Sequence, residues 1–240
     1  KDLVPFIDWM PFFNAWEFHG KYPDILSDAT VGAAARSLFA DASAMLDRVI
    51  REKWLQAKAV FGFFPANAID DDDIRVFRDE NRVQEVLRLC HLRQQKTKPE
   101  GHPHYCLADF IAPVDSGAKD YIGAFAVSAG FGLDPHVLRF EQAHDDYSSI
   151  LLKALADRLA EALAEYLHER VRKEYWGYDQ SETLSNEQRI AEQYRGIRPA
   201  PGYPACPDHT EKQKLWQLLA ADAAIGLRLT ESYAMYPTAA

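Results

Sequence analysis

Apolar residues recur at helical spacing from Thr30 to Gln56, where Val31, Ala34, Leu38, Ala42, Met45, Val49 and Trp54 share one stripe behind the capping-type run Ser27-Asp-Ala-Thr30. That spacing predicts one long amphipathic helix. Lys58 to Phe64 is a short aromatic-rich apolar run closed by Pro65, which predicts a strand with a buried face. Asn67 to Asp73, with four consecutive aspartates, reads as a turn, and Ile74 to Phe77 alternates as a second strand. From Val83 to Gln95 the pattern returns to helical spacing through Val83, Val86, Leu87 and Cys90. The first half is therefore expected to run helix, strand, strand, helix.

Tyr105 to Ala112 and Tyr121 to Ser128 are two β-like runs separated by turn residues, and a hairpin is the simplest reading. From about Gln142 to Tyr175 the longest helical pattern follows, with Leu151, Leu155, Leu159, Ala162, Leu163 and Tyr166 on one stripe. Thr210 or Asp208 can cap a last helix through Leu219, and Leu227 to Met235 alternates as a closing strand. Strands gathered in hairpin-like pairs between long helices, with no βαβ repeat, predict an α+β fold with a mostly antiparallel sheet.

One segment fits no regular element. Arg198 to Lys212 reads RPAPGYPACPDHTEK, a run of four prolines and a glycine leading into the last helix start. Prolines fix φ and remove backbone donors, so the segment is a rigid, shaped loop. The amides of Ala200, Gly202, Tyr203, Ala205 and Cys206 are expected to be available to an outside ligand, although a stiff connector would have the same composition.

With 240 residues, 48% of them hydrophobic, the chain can bury a full core as one large domain or two small ones. A net charge of −9 argues against a nucleic-acid or anionic-membrane surface, which needs clustered Lys and Arg. Cys90, Cys106 and Cys206 are odd in number and far apart, which suits a reducing cytoplasm better than a disulfide framework. No apolar run reaches the roughly 18 residues of a membrane span, so a cytoplasmic location is expected. The start at Lys1 and the end at Ala240 suggest a single domain excised from a longer chain.

Chemistry is scarce in the pattern. His102-Pro-His104 and His168-Glu169 are the obvious candidate metal ligands, but neither Cys-x-x-Cys nor His-Glu-x-x-His spacing accompanies them, so no metal site is expected. Cys206 with His209 three residues on is the only suggestion of a nucleophile and base. No glycine-rich loop of the dinucleotide-binding kind is present. Trp9, Phe12, Phe13 and Trp16 read as core. Nothing points to self-sufficient catalysis, and no catalytic residue is assigned.

The loop RPAPGYPACPDHTEK, the opening VPFIDWMPFF, the segments HYCLADFIAP and DYIGAFAVSAG, and the run ALADRLAEALAEYLHERVRKEYWGY together resemble the C-terminal activation domain of cobalamin-dependent methionine synthase. The resemblance covers almost the whole chain, with the motifs in the same order. It implies a twisted antiparallel sheet flanked by helices and a domain that binds S-adenosylmethionine. It further implies that cobalamin and zinc sit in other domains of the parent enzyme, and that the partners are its cobalamin-binding domain and a flavodoxin-like reductase. The role implied is reactivation: positioning S-adenosylmethionine for reductive methylation of inactive cobalamin, without catalysis by this domain alone. The family carries a further C-terminal segment with an aromatic pair at the ligand, expected to be missing here.

By motif matching, the resemblance places Asp8, Glu161, Arg198, Ala200, Gly202 and Tyr203 at the ligand. Arg198 can fork onto the ligand carboxylate. The backbone of Ala200, Gly202 and Tyr203 can bond adenine and sugar, and Asp8 and Glu161 can face the cationic end. Each acid has a simpler reading. Asp8 can serve a local turn, and the helical angle of Glu161 puts it off the apolar stripe, on what periodicity alone calls a solvated face. Two alternatives also stand. One is a docking module without a small ligand, for which Arg88, Arg93, Lys96 and Lys98 supply a basic patch toward an acidic reductase. The other is a free-standing S-adenosylmethionine-dependent methyltransferase, disfavoured by the lack of a glycine-rich loop and of an acceptor site.

Overall fold

The structure is a computed structural model and describes residues 1–239. In chain order its regular elements are α1 (Met10–Ala15), α2 (Gly32–Glu52), β1 (Gln56–Ile69), β2 (Asp73–Phe77), β3 (Glu85–Cys90), β4 (Asp120–Phe131), α3 (Leu133–Gln142), α4 (Asp146–Arg170), α5 (Asn186–Ile190), α6 (Glu211–Leu219), α7 (Ala221–Ile225), β5 (Arg228–Leu229) and β6 (Met235–Tyr236). The four long strands form one sheet in the order β3-β2-β1-β4, with β1 to β2 and β2 to β3 antiparallel. The α+β class expected from the pattern is the class observed.

The chain divides into two compact units. The first comprises Lys1–Ala59, Val127–Gly196 and Met235–Ala240, and the second Val60–Ala126 and Ile197–Ala234.

The first unit is built around α4. Its N-cap Asp145 accepts a hydrogen bond from the Ser148 amide at 3.0 Å, and the helix then packs against α1, α2 and α3. Phe12, Phe13, Leu38, Ala42, Leu46, Leu151, Leu155 and Leu159 form the main core, so the aromatic opening is core as expected. Leu152, Ala156, Ala160, Ala162, Leu163, Ala164 and Leu167 are buried as well, which makes α4 apolar on most sides rather than along one stripe. The helix begins at Asp146, later than the expected Gln142, because α3 ends there and residues 143–145 turn. It ends in a π-helical turn, Val171–Tyr175, that carries Arg172 fully into the interior. There Arg172 meets Glu182 at 2.5 and 2.7 Å and lies over the Tyr194 ring at 4.3 Å, pinning the segment after Gly177.

The second unit packs Ala66, Ala68, Ile74, Val76, Leu89, Cys106 and Ile122 with Leu215 and Leu218 of α6. Four expectations change here. Pro65 lies inside β1 instead of closing it; the ladder with β2 begins at Ala66 opposite Val76, so the absent proline amide removes no rung from that pairing. Within residues 83–95 the only regular element among the described residues is the strand β3, not a helix. Six residues with four apolar positions satisfy either period, and pairing from Asp73–Cys90 to Phe77–Glu85 decides between them.

Residues 105–112 form a 3-10 turn, Leu107–Phe110, so β4 has no hairpin partner there. Asp109 accepts the Cys106 amide at 2.9 Å and is gripped by Arg93 at 2.7 Å, which closes the turn against extension. Buried Asn67 on β1 donates to the carbonyls of Ala112 and Ala118, and Arg82 donates to Ala66, Asn67 and Asp120. The expected closing strand at 227–235 is broken by a turn in which the Thr230 amide donates to Ala234, leaving only the two-residue strands β5 and β6.

Candidate functional site

The proline-rich loop is knitted by its own backbone. The Gly202 amide donates to the Cys206 carbonyl at 2.9 Å, the Tyr203 amide to Ala200 at 3.0 Å, and the Cys206 amide to Tyr203 at 2.9 Å. Three of the five amides expected to face a ligand are thus spent inside the loop. Those of Ala200 and Ala205 have no hydrogen-bond acceptor among the described residues. The Ala205 carbonyl accepts from the Leu107 amide at 2.9 Å, which fastens the loop to the 3-10 turn. On its other flank, Glu211 at the start of α6 is buried and accepts the Cys90 amide at 3.1 Å while pairing with Lys214 at 2.7 Å. The loop is therefore held from both sides before any ligand arrives.

Gly202 adopts φ +107, a region closed to other residues, and a Cβ there would overlap the His209 ring. Tyr203 projects with 61% of its surface exposed, so a flat aromatic face stands ready for stacking. Arg198 is half-buried and takes part in interactions of its own. The structure thus gathers Arg198, Ala200, Gly202 and Tyr203 on one preformed turn.

Asp8 and Glu161 belong to the first unit. Asp8 is half-buried just ahead of α1, and its Oδ1 accepts the Met10 amide at 2.9 Å. The local-turn reading of Asp8 is real, yet Oδ2 has no hydrogen-bond donor among the described residues and remains able to accept. Glu161 is half-buried: it follows exposed Ile150 and Asp157 along α4 but is flanked by buried Ala160 and Ala162, so the face read from its helical angle is only partly wet here. Only the near-continuous alternation of Ala and Leu between Leu151 and Leu167 could have signalled this in the sequence.

The Cys206 and His209 pairing does not provide a nucleophile. The Cys206 thiol is buried, donates to the Ala200 carbonyl at 3.0 Å, and is pushed up to about 11 by burial, with the neighbouring Cys106 adding to the shift. A thiol so protonated is unreactive at neutral pH. All three cysteines are free thiols. Of the candidate metal ligands, His104 Nδ1 meets the Gln94 carbonyl at 2.8 Å and His168 is buried against Tyr194. Among the described residues no group of three His, Cys, Asp or Glu is placed to hold a metal, and no helix is long and apolar enough to cross a membrane.

The basic patch is weaker than its sequence suggests. Arg88 is paired with Glu85 and Asp73, and Arg93 makes a two-pronged bridge to Asp109 at 2.7 Å for each bond.

The chain thus presents an α+β fold with a pre-bonded loop that carries a guanidinium and an exposed aromatic ring. Comparison narrows the class. All 240 residues match the family described as the activation domain of vitamin B12 dependent methionine synthase, and the chain belongs to that family. It is also similar to a solved structure of the MetH reactivation domain bound to AdoHcy, with 57% sequence identity and a TM-score of 0.92 over 98% of this chain and 72% of that one.

Proposed function

We propose that this chain binds S-adenosylmethionine through Asp8, Glu161, Arg198, Ala200, Gly202 and Tyr203, and presents it for reactivation of the cobalamin of a methionine synthase. The observation that carries the reading is the prebuilt turn at Arg198–Tyr203 in a chain 57% identical to a domain solved with AdoHcy, the demethylated product of that ligand. The donor set suits the molecule. Arg198 offers a fork to the carboxylate, and the Tyr203 ring offers a platform for adenine. The Ala200 amide remains as the loop donor for the adenine edge or sugar, a narrower backbone role than Ala200, Gly202 and Tyr203 acting together. Asp8 and Glu161 supply negative charge to the ammonium and sulfonium groups.

A corrin held in another domain would supply the methyl-accepting metal, reduced beforehand by one electron from a flavodoxin-like reductase, with S-adenosylhomocysteine as the leaving group. This chain's residues bind and orient; none acts as a general acid or base, and the isolated chain does not turn over by itself. The pure docking alternative loses ground because Arg88 and Arg93 are neutralised locally, leaving Lys96 and Lys98 as the patch. Equilibrium titration of S-adenosylmethionine, with S-adenosylhomocysteine as competitor, tests the reading. Saturable, mutually exclusive binding is expected, and absence of binding by both would sink it.

A further inference from the structure

Cys206 occupies an unusual place in the loop. Its amide and carbonyl close the turn around Gly202 and Tyr203, and its side chain bonds the same turn a third time, donating from Sγ to the Ala200 carbonyl at 3.0 Å. The Ala200 carbonyl thereby receives both the Tyr203 amide and the Cys206 thiol, so its lone pairs are turned into the loop. The amide of Ala200 is left without a partner among the described residues. A buried thiol held protonated suits a permanent donor.

His209 acts at the same turn. Its ring lies where a side chain at Gly202 would project, so the +107° conformation of Gly202 and the imidazole fit as a pair. Neither residue was assigned to the ligand by motif matching, and neither makes a nucleophile.

We propose that Cys206 and His209 are positioning residues for S-adenosylmethionine: the thiol, through its bond to the Ala200 carbonyl, and the imidazole, through its contact with Gly202, set the Ala200–Tyr203 turn in its ligand-receiving form. This rests on the function proposed above. The thiol is the stronger half, because a donor can be removed while volume is kept.

The test compares the 240-residue chain with Cys206→Ala, Cys206→Ser and Cys206→Val. Each is titrated with S-adenosylmethionine, and amide hydrogen exchange at Gly202 and Tyr203 is read without ligand. Loss of one net hydrogen bond lowers affinity by roughly two- to twelvefold in the Ala and Val variants, and the hydroxyl of Ser restores it to within about twofold of the parent. Melting temperature is expected to follow the opposite order for Val and Ser, because burying methyls at this position is favourable and burying a hydroxyl costs more. Exchange at the two amides is faster in Ala and Val than in Ser. His209→Ala also lowers affinity, while His209→Phe, which keeps a ring beside Gly202, retains more of it.

Affinity that follows side-chain volume, with Val best and Ser no better than Ala, would overturn the role of the thiol. So would unchanged exchange in Cys206→Ala, which decides the point even if no chain binds ligand. Failure of the parent to bind while exchange behaves as expected removes the function proposed above and, with it, the ligand role of both residues.

Discussion

The buried ion pair at the end of α4 gives the sharpest quantitative expectation. The side chains of Arg172 and Glu182 are 0% and 3% exposed and meet through two bonds of 2.5 and 2.7 Å. Burial opposes the charge on Arg172, and the bond and charge of Glu182 more than offset it, so the arginine's pKa stays above its ordinary value. Two unit charges 4 Å apart attract by about 4 kcal/mol at an effective dielectric near 20. Glu182→Gln keeps the shape but leaves a guanidinium facing a neutral amide and the Tyr194 ring, and breaking one side of such a pair costs about 3 kcal/mol or more. For a chain of this length that corresponds to a fall in Tm of about 6–12 °C.

Thermal and urea unfolding of Glu182→Gln measure it directly. The double variant Arg172→Met with Glu182→Leu removes both charges and recovers most of the loss, because apolar replacement of a whole buried pair is often neutral. A Glu182→Gln chain melting within 2 °C of the parent would refute the view that this pair pins the segment after Gly177.

Other expectations follow from the same structure. His91 is buried, neither ring nitrogen has a hydrogen-bond partner among the described residues, and burial with nearby Lys214 lowers its pKa to about 4 despite the opposing charge of Asp73. The unfolded chain takes up this proton near pH 6.5 and the folded chain only near 4, so stability contributed above pH 6.5 is lost progressively as pH falls. The loss reaches about 3 kcal/mol at most, and urea midpoints across that window should flatten in His91→Leu. Gly202→Ala should lower stability by about 1–3 kcal/mol in thermal melts through its φ of +107 and the overlap with His209, and weaken ligand binding with it. Glu161→Gln should reduce S-adenosylmethionine affinity in calorimetry more than it reduces affinity for a neutral adenosine analogue, because only the former carries the sulfonium and ammonium charges.

The long helices and the α+β class were legible because their apolar spacing extends over many turns. The failures are local. Residues 85–90 carry too few positions to separate period 2 from period 3.6, and only pairing with β2 resolves them. Residues 107–110 turn because Arg93 and Asp109, sixteen positions apart, meet in space, which no window of sequence displays. Glu161 shows the opposite case: periodicity assumes one fully wet face, and α4 is packed from several directions, so that face is only partly exposed at Glu161. In the loop, composition correctly marked rigidity but could not show that Gly202, Tyr203 and Cys206 bond one another. Of the residues proposed for the ligand, Arg198 and Gly202 were visible in RPAPGYP; the amides spent within the loop were not.

The most direct test of the central claim is calorimetric titration of S-adenosylmethionine into the parent chain, Arg198→Ala and Arg198→Lys under one set of conditions. Loss of a charge-assisted, two-pronged contact predicts weakening of about 2–3 kcal/mol in Arg198→Ala, with lysine recovering only a minor part because a point charge cannot copy the fork. Equal affinities across the three chains, or no saturable binding by the parent, would contradict the account.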